Sequence, residues 1–225
     1  MSQPSDPATG TAKPETADAI GYSQACRMLL VAVAKIRDQH EMLSRLDSAV
    51  GDGDHGTTML RAMEDVAKAV AENQSADLKS LFSKVAWAFL SCDGGSTGPL
   101  FGSFFTGMSD ACAGKSELDR AAWATVFERG VARLQKHSRA QIGDKTMMDA
   151  LLPALAALQS ARAEEGLKAA LQQAADAAAK GAEATKGMRA KFGRARNLGD
   201  RVLGHLDPGS VSVSLICQGF SEAFA

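Results

Sequence analysis

Apolar side chains recur at three- and four-residue steps through most of the chain, the spacing that gathers them on one face of an α-helix. Leu29, Val33, Ile36 and Leu43 mark a first helix from Ser23 to about Leu46. Met59, Met63, Val66 and Val70 mark a second, for which Thr57 is a candidate cap. Ser75 and Asp77 open a third, with Leu78, Phe82, Val85 and Phe89 turned inward. A fourth follows Pro99 and runs to about Ala113, and a fifth starts near Ser116 with Ala122, Val126, Val131 and Leu134. A sixth ends near Ser160, and Pro153 is expected to kink it. The seventh, about Leu167 to Arg189, is so rich in alanine that its partner must pack close. The eighth begins after Pro208, with Ser210 a candidate cap and Val213, Ile216, Phe220 and Phe224 as its buried stripe. No stretch reads as a strand. The pattern predicts an all-α domain over residues 19–225, preceded by a disordered tail, residues 1–18, that lacks large apolar groups.

Composition narrows the function more than the fold. A net charge of −1 gives no electrostatic case for nucleic acid or an anionic membrane surface. No basic segment followed by an apolar one opens the chain and no apolar run approaches 18 residues, so a cytoplasmic protein is expected. The four cysteines are widely spaced without a C-x-x-C pair and read as reduced core thiols.

The chemistry lies in the loops. Asp47, Asp52 and Asp54 put three carboxylates within eight residues. At about 4 Å and an effective dielectric near 20, each pair would repel by roughly 4 kcal/mol. A cation relieves that, and hard oxygen ligands suit Mg²⁺ or Ca²⁺. A solvated acidic turn is the bland alternative. An EF-hand fails: with Asp52 at loop position one, position six is Thr57 and position twelve Met63. Too few carboxylates remain to cage a metal alone, which fits Mg²⁺ completing its shell with water and phosphate oxygens.

Gly94-Gly95-Ser96-Thr97-Gly98-Pro99 feeds a helix N-terminus, where free N–H groups and the helix dipole favour an anion. It is no Walker A motif, since no Gly-Lys-Ser/Thr follows. Gly143-Asp144-Lys145-Thr146 enters another helix, and residues 191–201 hold four basic side chains. Each loop alone is ambiguous. Together they are the parts needed to hold a metal–nucleotide complex.

These four motifs, in this order over about residues 23–225, resemble the nucleotide-binding L subunit of dihydroxyacetone kinase. The resemblance implies an antiparallel barrel of eight helices with Mg-ADP or Mg-ATP at one end. By motif match Asp47, Asp52 and Asp54 would hold two Mg²⁺ ions. His55, Gly56, Thr57 and Thr58 would line the phosphates, with donors from Ser96 and Thr97. Met147 would pack near adenine, and Arg194 with the Asp207-Pro208-Gly209 turn would close over the nucleotide. Thr58 and Thr97 depart from the usual Asn and Ser but keep a hydrogen-bonding group. Ser138 falls in a segment that differs from the family's Arg-Gly-Lys-Ala, so its contact with nucleotide is the weakest of the set. His55 is a base by type, yet a loose phosphoryl-transfer transition state asks more for positioning and charge neutralisation.

The resemblance also implies half an enzyme. The family holds dihydroxyacetone on a separate K-type subunit, which would be this chain's partner. It admits a phosphohistidine phosphocarrier that rephosphorylates bound ADP, and a homodimer. The alternative is a nucleotide-binding regulatory module without transfer activity.

Overall fold

The structure, a computed structural model, describes residues 18–93 and 95–224. The tail expected at residues 1–18 falls almost wholly outside the described residues. Asp18, at its end, accepts the Leu167 backbone N–H at 2.6 Å.

Among the described residues eight α-helices follow one another: α1 (Tyr22–Val50), α2 (His55–Ala71), α3 (Leu78–Leu90), α4 (Thr97–Ala111), α5 (Arg120–Leu134), α6 (Met148–Ser160), α7 (Gly166–Ala184) and α8 (Pro208–Glu222). Short 3₁₀ segments lie at Ala163–Glu165, Thr185–Gly187 and Arg194–Val202. Among the described residues the only strand-like pairing is the isolated bridge of Ile20 with Leu118. Each helix packs on the next, and α8 returns to α1, closing the ring as an eight-helix barrel. Gln24 donates to the Ala223 carbonyl at 3.0 Å and Lys35 pairs with Glu222 at 2.6 Å along that closing seam. Among the described residues no helix is long and apolar enough to cross a membrane.

The expected apolar stripes turn inward. Leu29, Val33, Ile36, Leu43, Met59, Met63, Val66, Phe82, Val85 and Phe89 are all buried. Val70, Ala122 and Phe224 are only partly buried, packed against the edge of that core. The α3–α4 wall is aromatic: Phe89 stacks on Phe101 at 5.1 Å and on Phe105 at 5.4 Å. Inside the barrel Trp123 of α5 meets Phe220 of α8 edge-on at 5.8 Å. The α6–α7 wall is built from small residues. Buried Ala170, Ala174, Ala175, Ala178 and Ala182 allow close approach, and a β-carbon at Gly181 would stand 1.9 Å from the Asp149 carbonyl oxygen. That carbonyl is the one Pro153 leaves without its helical N–H partner. The helix itself continues through Pro153 to Ser160.

Several boundaries differ from the sequence expectation. Helix α1 runs past Leu46 to Val50, which puts Asp47 inside its last turn. Helix α2 starts from Asp54, with Thr57 already inside it, and α5 starts from Asp119, whose carboxylate accepts the Ala122 N–H at 2.8 Å. The residues before Asp119 are committed to the bridge with Ile20. Helix α8 is capped by Asp207, which accepts the Ser210 N–H at 2.7 Å, so Ser210 is the donor and not the cap. Helix α7 stops at Ala184 because the Thr185 hydroxyl turns back onto the Ala182 carbonyl at 2.6 Å, and a 3₁₀ turn takes over.

Candidate functional site

An antiparallel ring starts its even-numbered helices at one end. There the loops enclose a cleft of about 600 Å³, a size that suits a small ligand. The first residues of α2, α4, α6 and α8 reach its wall, at His55, Thr97, Met148 and Pro208. Helix N-termini offer N–H donors and a partial positive charge. Helix α1 brings the opposite pole: its C-terminal turn, with Asp47, and the acidic loop. One side of the cleft is therefore built for a cation and the rest for an anion.

Carboxylate oxygens of Asp47, Asp52 and Asp54 lie within 4.8 Å of one another. Asp47 is largely buried and accepts the His55 backbone N–H at 3.2 Å. Asp54 is the N-cap of α2, yet its side chain makes no capping bond. Asp52 is ion-paired with Arg194 from the 3₁₀ segment across the cleft. Three hard oxygen donors at the edge of a ligand-sized cleft fit Mg²⁺, with coordination positions left for ligand oxygens.

His55 is placed differently from a phosphate-facing base. Its ring is buried, with Nε2 2.8 Å from Ser212 Oγ and Nδ1 3.2 Å from Thr97 Oγ1. Burial lowers its pKa to about 4 against the opposing pull of Asp47. The neutral ring links α2 to α4 and α8 and supports the cleft wall from behind. Gly56, Thr57 and Thr58 are off the wall: Gly56 is pressed on α1, Thr57 is exposed, and the buried Thr58 hydroxyl has no partner among the described residues. Ser96, Thr97, Ser138, Met147, Arg194, Asp207, Pro208 and Gly209 all line the cleft. Val50, Leu100, Phe101, Met147 and Phe192 give it an apolar side.

Sequence reasoning gave no role to three residues that organise this site. Asp149 accepts the Gly143 N–H at 2.5 Å and the Thr146 N–H at 2.8 Å, holding the loop before α6 in shape. Its place in the first helical turn was the available signal. Ser212 and Lys145 act on partners 40 to 157 residues away, and no local pattern announces that.

Burial raises the Asp207 carboxyl to about 7, opposed by the Ser210 N–H and assisted by Asp149. The stability that follows from a raised acid is present below the unfolded value near 4 and fades as pH climbs through 7. The lowered His55 works the other way: its contribution is full above pH 6.5 and fades towards pH 4. In the EDTA-treated, nucleotide-free protein the two slopes oppose each other between pH 4 and 6.5. Asp207→Asn removes one of them. Its melting temperature should fall more steeply than wild type from pH 7 to pH 5, by several degrees at about 2–4 °C per kcal/mol. At pH 8 it should match or exceed wild type. Parallel melting curves for the two proteins would contradict the buried charge.

Fold and cleft together define a class: an all-α barrel whose ligand-sized cleft sets four helix N-termini beside a cluster of three carboxylates. Within it, residues 49–222 match the model of the DAK2 domain. The chain is 36% identical over 183 residues to a PEP-dependent dihydroxyacetone kinase 1, ADP-binding subunit DhaL, of Listeria innocua, covering 81% of this chain and 86% of that protein. It is 34% identical over 181 residues to the corresponding ADP-binding subunit DhaL of Escherichia coli, covering 80% and 86%. The dihydroxyacetone kinase of C. freundii, solved in complex with AMP-PNP and Mg²⁺, superposes with a TM-score of 0.69 at 26% identity. That match covers 99% of this chain but 38% of the longer kinase chain. The chain belongs to the DAK2 domain family, among its DhaL-type kinase subunits.

Proposed function

We propose that this chain is the nucleotide-binding subunit of a two-component dihydroxyacetone-type kinase. It passes a phosphoryl group from a Mg-bound nucleotide to a short ketose held on a separate K-type subunit. The observation that carries the reading is the meeting of Asp47, Asp52 and Asp54 at a cleft whose remaining rim is helix N-termini.

Each part of the cleft then has a task. The three aspartates hold Mg²⁺, two ions by motif match, which when bound neutralises charge between carboxylates and phosphate oxygens. Ser96, Thr97 and the entrance of α8 offer N–H and hydroxyl donors to the phosphates. Met147 with Val50, Leu100 and Phe192 forms the apolar side for a purine ring. Arg194, paired with Asp52 here, would offer its guanidinium to phosphate oxygens when Asp52 serves the metal. His55 contributes by fixing Thr97 and α8 and not by taking a proton, since both ring nitrogens face hydroxyls. The relatives' names, ADP-binding subunits of PEP-dependent kinases, favour a bound ADP that is rephosphorylated by a phosphohistidine carrier over one that exchanges each turnover.

Thermal unfolding of the EDTA-treated protein tests the reading. Mg-ADP at 100 times its Kd should add about 2.7 kcal/mol of stability, and neither Mg²⁺ nor ADP alone should match it. No shift with the complex would refute nucleotide binding. Survival of ADP through dialysis would assign the carrier-dependent mode; its loss would assign exchange.

A further inference from the structure

The connection from α7 to α8 carries Phe192, Gly193, Arg194, Ala195 and Asn197 on the cleft wall. What holds it there lies outside the connection itself. The Lys145 ammonium donates to the Thr185 carbonyl at 2.6 Å, where the connection leaves α7, and to the His205 carbonyl, where it returns to α8. Asp144 makes a second clip. Its carbonyl accepts the Lys191 N–H at 3.1 Å and its carboxylate meets the Lys191 ammonium at 2.6 Å. The stems are joined to each other as well, Gly204 N–H to the Lys186 carbonyl at 2.8 Å and Asp207 N–H to the Thr185 hydroxyl at 2.9 Å. Beyond these clips, among the described residues, the tip of the connection has a single ion pair to the body, Arg194 with Asp52.

Lys145 holds its position at a cost. Its φ is +58°, in the left-handed region that favours glycine. Its side chain is buried, with 2% of the residue exposed, so the ammonium has left water. Glycine would meet the backbone requirement without strain; what glycine lacks is the ammonium. An outlier retained beside a binding cleft is reason to look for a task. Lys145 stands on the cleft wall, but its ammonium is bonded to two backbone carbonyls of the connection's stems, and through them it acts on the connection.

We infer that Lys145 is a positioning residue: it cross-ties both stems of the 188–204 connection to the entrance of α6, while Asp144 fixes the leading edge through Lys191, so that Phe192 and Arg194 form a lid held ready over the nucleotide. The inference rests on the reading of the cleft as a Mg-nucleotide site. A lid of this kind governs how slowly the ligand leaves more than how fast it enters. The metal side of the cleft, built by α1 and α2, meets the connection at one point, the Arg194–Asp52 pair.

Lys145→Met, Lys145→Gly and Asp144→Asn test this. Stopped-flow release of a fluorescent ADP analogue from its Mg²⁺ complex should be about tenfold faster or more in both Lys145 variants, the effect of losing one charge-assisted hydrogen bond. Lys145→Gly should be no slower than Lys145→Met, although it relieves the backbone. Mn²⁺ binding without nucleotide should be no weaker than in wild type, since loosening Arg194 only frees Asp52. Trypsin should cut faster at Lys191, Arg194 and Arg196 in each variant, with or without nucleotide. A general loss of structure would weaken Mn²⁺ binding together with release, which overturns the assignment. So does wild-type release with wild-type cleavage in a folded Lys145 variant. If Lys145→Met does not fold, Asp144→Asn decides, since its amide oxygen can still accept the Gln141 N–H; release and cleavage at the wild-type rate then overturn the inference. If the wild-type chain binds no nucleotide, the kinase reading falls by itself. Nucleotide-free cleavage still decides the cross-tie: faster in the variants sustains it, equal rates overturn it.

Discussion

Asp54→Ala is expected to abolish Mg-nucleotide binding and leave the barrel standing. The Asp54 side chain makes no capping bond to α2 and is exposed, so its removal costs the helix little. What it does share is the narrow space with Asp47 and Asp52, oxygens within 4.8 Å. Relief of that repulsion should hold the melting temperature of the EDTA-treated variant at or above the wild-type value. The ligand side moves the opposite way, because a site of three carboxylates loses a third of its charge and one of its metal oxygens. Calorimetry with Mg-ADP should then show no measurable heat of binding under conditions that saturate wild type. Arg194→Ala makes the comparison: it removes one contact and leaves all three carboxylates, so nucleotide affinity should fall by much less. Wild-type affinity in Asp54→Ala would contradict the metal assignment.

Gly56→Ala should do the reverse and damage fold and site at once. A β-carbon at this position would stand 1.9 Å from the His40 carbonyl oxygen and 2.4 Å from Ser44 Oγ, and the first of these is backbone of α1. A helix wall does not yield as a flexible side chain does, so α2 must move off α1. Forcing one carbon into a packed seam typically costs about 1–3 kcal/mol, occasionally more, or a melting point lower by about 2–4 °C for each kcal/mol in a domain of this size. The neighbour before Gly56 is His55, whose N–H reaches Asp47 and whose ring reaches Thr97 and Ser212. A displaced α2 therefore also pulls on the metal side and on two helix entrances, and nucleotide affinity should fall with stability. Differential scanning calorimetry and ligand titration on the same sample check both. Unchanged values in both would show that α1 and α2 do not approach this closely.

The contrast shows what the sequence could and could not reveal. The acidic loop, the Gly-Ser-Thr-Gly entrance and the Gly-Asp-Lys-Thr entrance were legible because a metal or phosphate site demands particular residues close together in the chain. The helices were legible because burial imposes a period on Leu29, Val33 and Ile36. Caps were harder. Around Thr57 and Asp54, or Ser116 and Asp119, several residues of the right type compete, and tertiary packing chooses among them. The supports of the site were hidden altogether. His55 with Ser212, and Lys145 with Thr185 and His205, are meetings that exist once the ring closes. The glycine requirement at Gly56 is of the same kind, since its cause is a carbonyl sixteen residues back on another helix.

The seam between α1 and α8 has a consequence for how the molecule comes into being. The staves of this barrel leave the ribosome in order, and the one that completes the hoop is the last of the eight. Until it emerges, the side of α1 that packs on α8 stands against solvent, and the cleft lacks the Asp207-Pro208-Gly209 rim and the Ser212 hydroxyl. Nascent chains stalled before residue 208 should thus be recognised by chaperones and blind to nucleotide, with both properties switching together when the closing stave docks.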